Sequence, residues 1–88
     1  MINAEAISDV VRAVLRDVLS IDAVRADRFD AETPLFGALP ELDSMAVAGL
    51  LTEMEDRLGI MIDDDEVDGD LLATFGSLTD YVARKLAT

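Results

Sequence analysis

The chain has 88 residues, 51% of them apolar, and its 19 acidic and 7 basic side chains give a net charge of −12; that length fits one domain, residues 1–88, built around one core. Such an acidic balance argues against nucleic acid and anionic membranes as partners. The chain contains no cysteine and no histidine, which removes disulfides, the common zinc sites and Ser/His/Asp or Cys/His catalysis, so any reactive thiol must be brought in from outside the polypeptide.

Between Asn3 and Leu19, residues Ile7, Val10, Val11, Val14, Leu15, Val18 and Leu19 recur at the spacing of one helical face and predict a first helix. Asn3 is placed to cap it, Glu5 falls in its first turn, and Arg12 and Arg16 are expected on its solvent side. No run of apolar residues approaches the ~20 needed to span a membrane. The segment Met1 to Asp9 has no basic lead into an apolar stretch, so membrane insertion is not expected and the sequence reads as cytoplasmic.

From Ser20 to Asp43 periodicity fades, and Thr33-Pro34, Gly37 and Pro40 interrupt any helix, which predicts a long connection. Phe29, Leu35, Phe36 and Leu39 are the residues expected to pin it onto the core. A second helix follows, with Asp43 as its cap, a stripe of Val47, Leu50, Leu51, Met54 and Leu58, and Gly59 at its end. Met45, Ala48 and Thr52 fall off the stripe, leaving apolar surface for a partner, unless Met45 packs back on the preceding loop.

Ile60, Met61 and Ile62 lead into an acidic stretch, Asp63 to Asp70, after which Leu71, Leu72 and Phe75 predict a short helix or turn that closes the core. Ser77 and Asp80 resemble a capping pair for a last helix bearing Leu78, Tyr81, Val82 and Leu86, with Arg84 and Lys85 at its C-terminal end. The expected fold class is all-α: a small antiparallel four-helix bundle, three main helices and one short, with a long loop between helices one and two. Asp64, Glu66, Asp68 and Gly69 echo the start of a calcium-binding loop. Counted from Asp64, the position that needs a bidentate glutamate is Phe75, so no metal site is assigned.

The run Glu41-Leu42-Asp43-Ser44-Met45, standing where a long loop meets an amphipathic helix, resembles the Asp-Ser-Leu signature of acyl and peptidyl carrier proteins. The likeness extends over nearly the whole chain, through Thr33-Pro34-Leu35-Phe36, the Gly59-Ile60 exit and Thr74-Phe75 with Ser77-Leu78. It implies a non-enzymatic carrier. Ser44 would be the attachment point of a 4'-phosphopantetheine arm, taken from coenzyme A by a phosphopantetheinyl transferase, and no residue of the chain would be catalytic. Asp43 belongs to the motif, either capping the helix or orienting groups at the modification site. Free amides at a helix start suit the phosphate so introduced.

The same resemblance implies that helix two is read by acyl-loading and acyl-using enzymes with basic patches, through Leu42, Met45, Ala48, Glu53, Glu55 and Asp56. Of the 19 acidic residues, 11 lie between Glu41 and Asp70 with Arg57 as the lone base there. Ala46, Ala48 and Gly49 stand where many fatty-acid-synthesis carriers are acidic, and Leu42 stands where glycine is usual. Both departures point to a carrier of a specialised pathway, such as secondary metabolism or surface export; a monomer is expected. Aminoacyl or peptidyl cargo, and an acidic adaptor with Ser44 as a mere cap, are the alternatives left open.

Overall fold

A computed structural model describes residues 4–87, and four helices are found there: α1 (Ala4–Leu19), α2 (Ala23–Asp27), α3 (Ser44–Leu58) and α4 (Phe75–Ala87), with a 3-10 turn at Asp64–Glu66. The all-α class is as expected, and Asn3, the expected cap of α1, lies outside the described residues. The short helix is not where the sequence placed it. It is α2, inside the long connection, where the Asp22 carboxylate caps it by accepting the Arg25 amide at 2.8 Å. Five residues with one buried side chain, Ala26, carry too little periodicity to be seen in advance.

The element on which the others pack is α1, which contacts α2, α3 and α4. Its stripe is closed to solvent at Val11, Val14 and Leu15, each worth roughly 1.5–3 kcal/mol on burial. Leu50 and Met54 of α3 and Leu78 and Val82 of α4 fill the space around it. Arg57 ties α3 to α1 by its bond to Asp17 at 2.8 Å. Among the described residues no helix is long and apolar enough to cross a membrane.

The connection between α1 and α3 is pinned by Phe29, Leu35, Leu39 and Leu42, all buried, whereas Phe36 is half exposed. Its middle pairs with the chain entering α4. The Leu35 amide donates to the Ala73 carbonyl at 3.0 Å and the Phe36 amide to that of Leu72 at 2.9 Å; in return Phe75 donates to Thr33 at 2.8 Å and Gly76 to Ala31 at 2.9 Å. This clasp satisfies first-turn amides of α4 that have no partner within the helix.

It also corrects the expected start of that helix. Thr74 and Ser77 exchange side-chain bonds with each other's amides at 3.0 and 3.1 Å, so Ser77 lies inside the first turn and Asp80 is exposed. Phe75 therefore opens α4 instead of forming a separate element with Leu71 and Leu72, which sit in the preceding turn.

Arg12 is not on the solvent side. Its Nη2 donates to the Phe29 carbonyl at 3.1 Å, and its guanidinium lies 5.2 Å over the Phe75 ring, which itself meets Phe29 at 5.8 Å. A helical wheel places Arg12 away from the apolar stripe, but the long connection folds over that flank and covers it.

Gly76 is required by the clasp: a Cβ there would stand 2.6 Å from the Ala31 carbonyl oxygen. Gly76→Ala is therefore expected to cost about 1–3 kcal/mol, read as a lowered Tm, while Gly69→Ala, with nothing within 4 Å of its Cβ, serves as the neutral control. The pair Glu66–Lys85, at 2.7 Å, joins the 3-10 turn to α4 and holds the Glu66 carboxyl below its ordinary range, chiefly through that hydrogen bond. A depressed carboxylate stabilises the fold above the unfolded pKa and loses that contribution as pH falls through the native one. Glu66→Gln is thus expected to be less stable than wild type at neutral pH, with the gap between the two melting curves closing below about pH 4.

Candidate functional site at the start of the third helix

The segment Glu41 to Ser44 is held residue by residue. Glu41 accepts both terminal nitrogens of Arg25, one of them at 3.1 Å. Leu42 is buried at 4% exposure, and its amide donates to the Leu39 carbonyl at 3.0 Å. Asp43, with extended backbone, turns its carboxylate onto the Ala46 amide at 2.8 Å and caps α3. At the other end Gly59 takes the left-handed conformation, φ 66°, with its amide bonded to the Glu55 carbonyl, so both sequence signals for this helix mark its true ends.

Ser44 opens α3 exposed, and its hydroxyl bonds to no described residue. The Asp43 carboxylate is engaged by the Ala46 amide and does not bond the hydroxyl. The Ala46 and Val47 amides are both bonded to Asp43, which leaves the first two amides of α3, with the positive end of the helix dipole, to favour an anion attached there.

Beside Ser44 lies a cleft of about 270 Å³ whose walls include Phe36, Val47, Val67 and Leu72, with Asp68 and Gly69 along one side. A second groove, about 460 Å³, continues from Ser44 and Val47 along α3 toward Leu51 and Ile62. Phe36 and Leu72 reach this cleft because the clasp bonds their backbones together. The sequence named Phe36 as a core residue. Its half exposure is explained by its place on this wall, and Val67, the lone apolar residue of the acidic run, by the same.

A model of the family described as "Phosphopantetheine attachment site" matches residues 9–82. The solution NMR structure of a holo acyl carrier protein from Nitrosomonas europaea superposes with a TM-score of 0.85 and 38% identity, covering 92% of this chain and 96% of that one. The chain belongs to the acyl carrier protein family. No curated protein matches it.

The carrier is accordingly not an enzyme but bears a covalently attached 4'-phosphopantetheine. The site fits such a group: the exposed Ser44 hydroxyl at the start of α3 would receive the phosphate end, and an apolar cleft adjoins it. The arm supplies a terminal thiol to which acyl groups are joined, the thiol that the polypeptide lacks. Asp43 and the α3 amides would hold the attachment point, and Phe36, Val47 and Leu72 would border the arm.

The expected partner-facing residues divide. Met45 is 86% exposed, which removes the alternative that it packs on the preceding loop, and Ala48 and Asp56 are exposed as well. Leu42 is in the core and offers no side chain to a partner or an arm, because its amide bond to Leu39 and the short run to Asp43 turn it inward. Glu53 is paired with Arg57 at 2.7 Å, and Glu55 accepts the Ile62 amide at 2.8 Å, fixing the exit from α3. Among the described residues no cluster of acidic side chains is arranged to hold a metal ion.

Capping is a measurable part of what Asp43 does. Asp43→Ala is expected to lower stability by about 1 kcal/mol, with Asp43→Asn keeping most of it, as read from denaturant midpoints.

Proposed function

We propose that Ser44 is the acceptor of the phosphopantetheine arm and that the chain carries an acyl group on it between enzymes of a specialised biosynthetic pathway. One observation supports the assignment to Ser44 above all others: the hydroxyl is exposed, unbonded and seated at an uncovered helix start while the neighbouring carboxylate is occupied. Such a group is poorly placed to act as a nucleophile unaided and well placed to be presented to a transferase. In the transfer Ser44 Oγ forms a bond to the pantetheine-side phosphorus of coenzyme A. The pyrophosphate P–O bond breaks, the nucleotide half leaves, and the serine proton passes to a base on the transferase.

An acyl cargo is supported over an aminoacyl or peptidyl one by the apolar walls of the cleft beside Ser44. The specialised setting is supported by α3 itself, whose first turn contains no acid. Partner enzymes with basic patches meet Met45, Ala48 and Asp56, with Glu53 at the edge of the contact. In that surface the exposed methionine contributes apolar area and the unpaired Asp56 contributes charge.

Incubated with coenzyme A and a broad-specificity transferase, the purified protein is expected to gain the mass of one phosphopantetheine, and Ser44→Ala none. Intact mass spectrometry reads both. A mass gain that survives in Ser44→Ala would overturn the assignment.

A further inference from the structure

We infer that Arg25, on α2, is a positioning residue for the Ser44 acceptor, acting through its two-pronged bond to Glu41; this rests on the reading of Ser44 above. Arg25 Nη2 donates to Glu41 Oε1 at 3.1 Å while Nη1 donates to Oε2. A guanidinium bound to both oxygens of one carboxylate fixes orientation as well as distance, which a lysine ammonium does not.

Each side of the pair is itself anchored. The Arg25 amide is held by Asp22 at 2.8 Å, its neighbour Ala26 is 1% exposed in the core, and α2 packs on α1. Glu41 heads the four residues that end at Ser44. Within them the Leu42 anchor is burial and the Asp43 anchor is a bond inside the helix start. Ser44 is held on its downstream side by α3, of which it is the first residue, and on its upstream side by these three contacts. The Arg25 pair is the one that joins the segment sideways to another helix.

The residues leading up to Glu41 are turns, from Gly37 at φ 90° onward, closed by bonds from the Ala38 and Leu39 amides to Leu35 and from the Leu42 amide to Leu39, so no helix or strand adjoins the segment on its upstream side. Hydrogen bonding within the pair shifts the Glu41 carboxyl down and the Arg25 guanidinium up, so each partner favours the charged form of the other.

If only a fraction of carriers holds the segment in the bound geometry, the apparent KM of an enzyme for the carrier rises by the inverse of that fraction, and kcat at saturation does not change. A contribution to stability alone lowers Tm and leaves the KM of the folded protein as it was. The two single variants Arg25→Met and Glu41→Gln also shift net charge in opposite directions. An electrostatic effect on a basic enzyme would move their KM values apart, whereas loss of positioning raises both.

The test is steady-state transfer of phosphopantetheine from coenzyme A to wild type, Arg25→Met, Arg25→Lys, Glu41→Gln and the exchanged double variant Arg25→Glu/Glu41→Arg, each assayed well below its Tm. The expected result is a KM raised about three- to fivefold in both single variants that lose the pair. Arg25→Lys should give a smaller rise, kcat should be unchanged throughout, and the double variant should recover most of the wild-type KM. Unchanged KM in Arg25→Met and Glu41→Gln, or movement in opposite directions, overturns the inference. Failure of the Ser44 reading is distinguishable, because it would show as modification persisting in Ser44→Ala whatever the Arg25 variants do.

Discussion

The backbone clasp between residues 31–36 and 72–76 is the constraint from which the rest of the arrangement follows. Helices α3 and α4 both pack on α1 and not on one another, so something besides helix packing must set α4 relative to the connection that leads to Ser44. Backbone bonds in both directions across the antiparallel bridge at Pro34 and Thr74 do this. They satisfy the open amides of α4, force glycine at position 76, and bring Phe36 and Leu72 to one wall of the cleft beside Ser44. Arg12 closes the same joint from α1, stacked over Phe75 and bonded to the Phe29 carbonyl. The middle of a long connection with little regular structure is thereby bonded to the start of α4.

That dependence explains which features were legible in the sequence. The limits of α3 were readable because Asp43 and Gly59 act on their own helix through short-range bonds and local backbone conformation, and composition records such effects directly. The stripe of α1 was readable for the same reason: periodicity is a local property. Arg12, Phe36, Leu42 and the start of α4 were misplaced because each is decided by a segment distant in the chain. Nothing in the neighbourhood of Arg12 shows that Phe29 will cover it, and nothing near Ser77 shows that Thr33 and Ala31 will bond to the turn before it. The place of Ser44 at the start of α3 was readable because a helix start is a local event.

The acidic middle of the chain is less uniform than its composition suggests. Glu41 is engaged by Arg25, Glu53 by Arg57, Glu55 by the Ile62 amide and Glu66 by Lys85, so several carboxylates that look like a docking surface also hold the fold together. Surface pairs of this kind contribute little each to stability, but they orient what they join. On α3 this leaves Asp56 without a partner among the described residues, on the same helix as the exposed Met45 and Ala48 and about three turns beyond the former. A recognition face built this way depends on apolar contact as well as charge, and that is consistent with a first turn of α3 that bears no acid at all.

The arrangement around the Ser44 hydroxyl, to which no described side chain is bonded, fits the same division of labour. An acceptor that activated itself would react with any phosphoanhydride or thioester in reach, and a carrier has to meet many such groups in turn. Here the neighbouring carboxylate is occupied by the Ala46 amide, histidine is missing from the whole chain, and the hydroxyl stands free. Under the proposed reading what the fold supplies is position: α3 itself, core burial of Leu42, the cap of Asp43 and the Arg25–Glu41 tie set where the Ser44 hydroxyl stands. Chemistry is then confined to encounters in which a partner brings the base, and the selectivity of the carrier lies in which surfaces can close over Ser44.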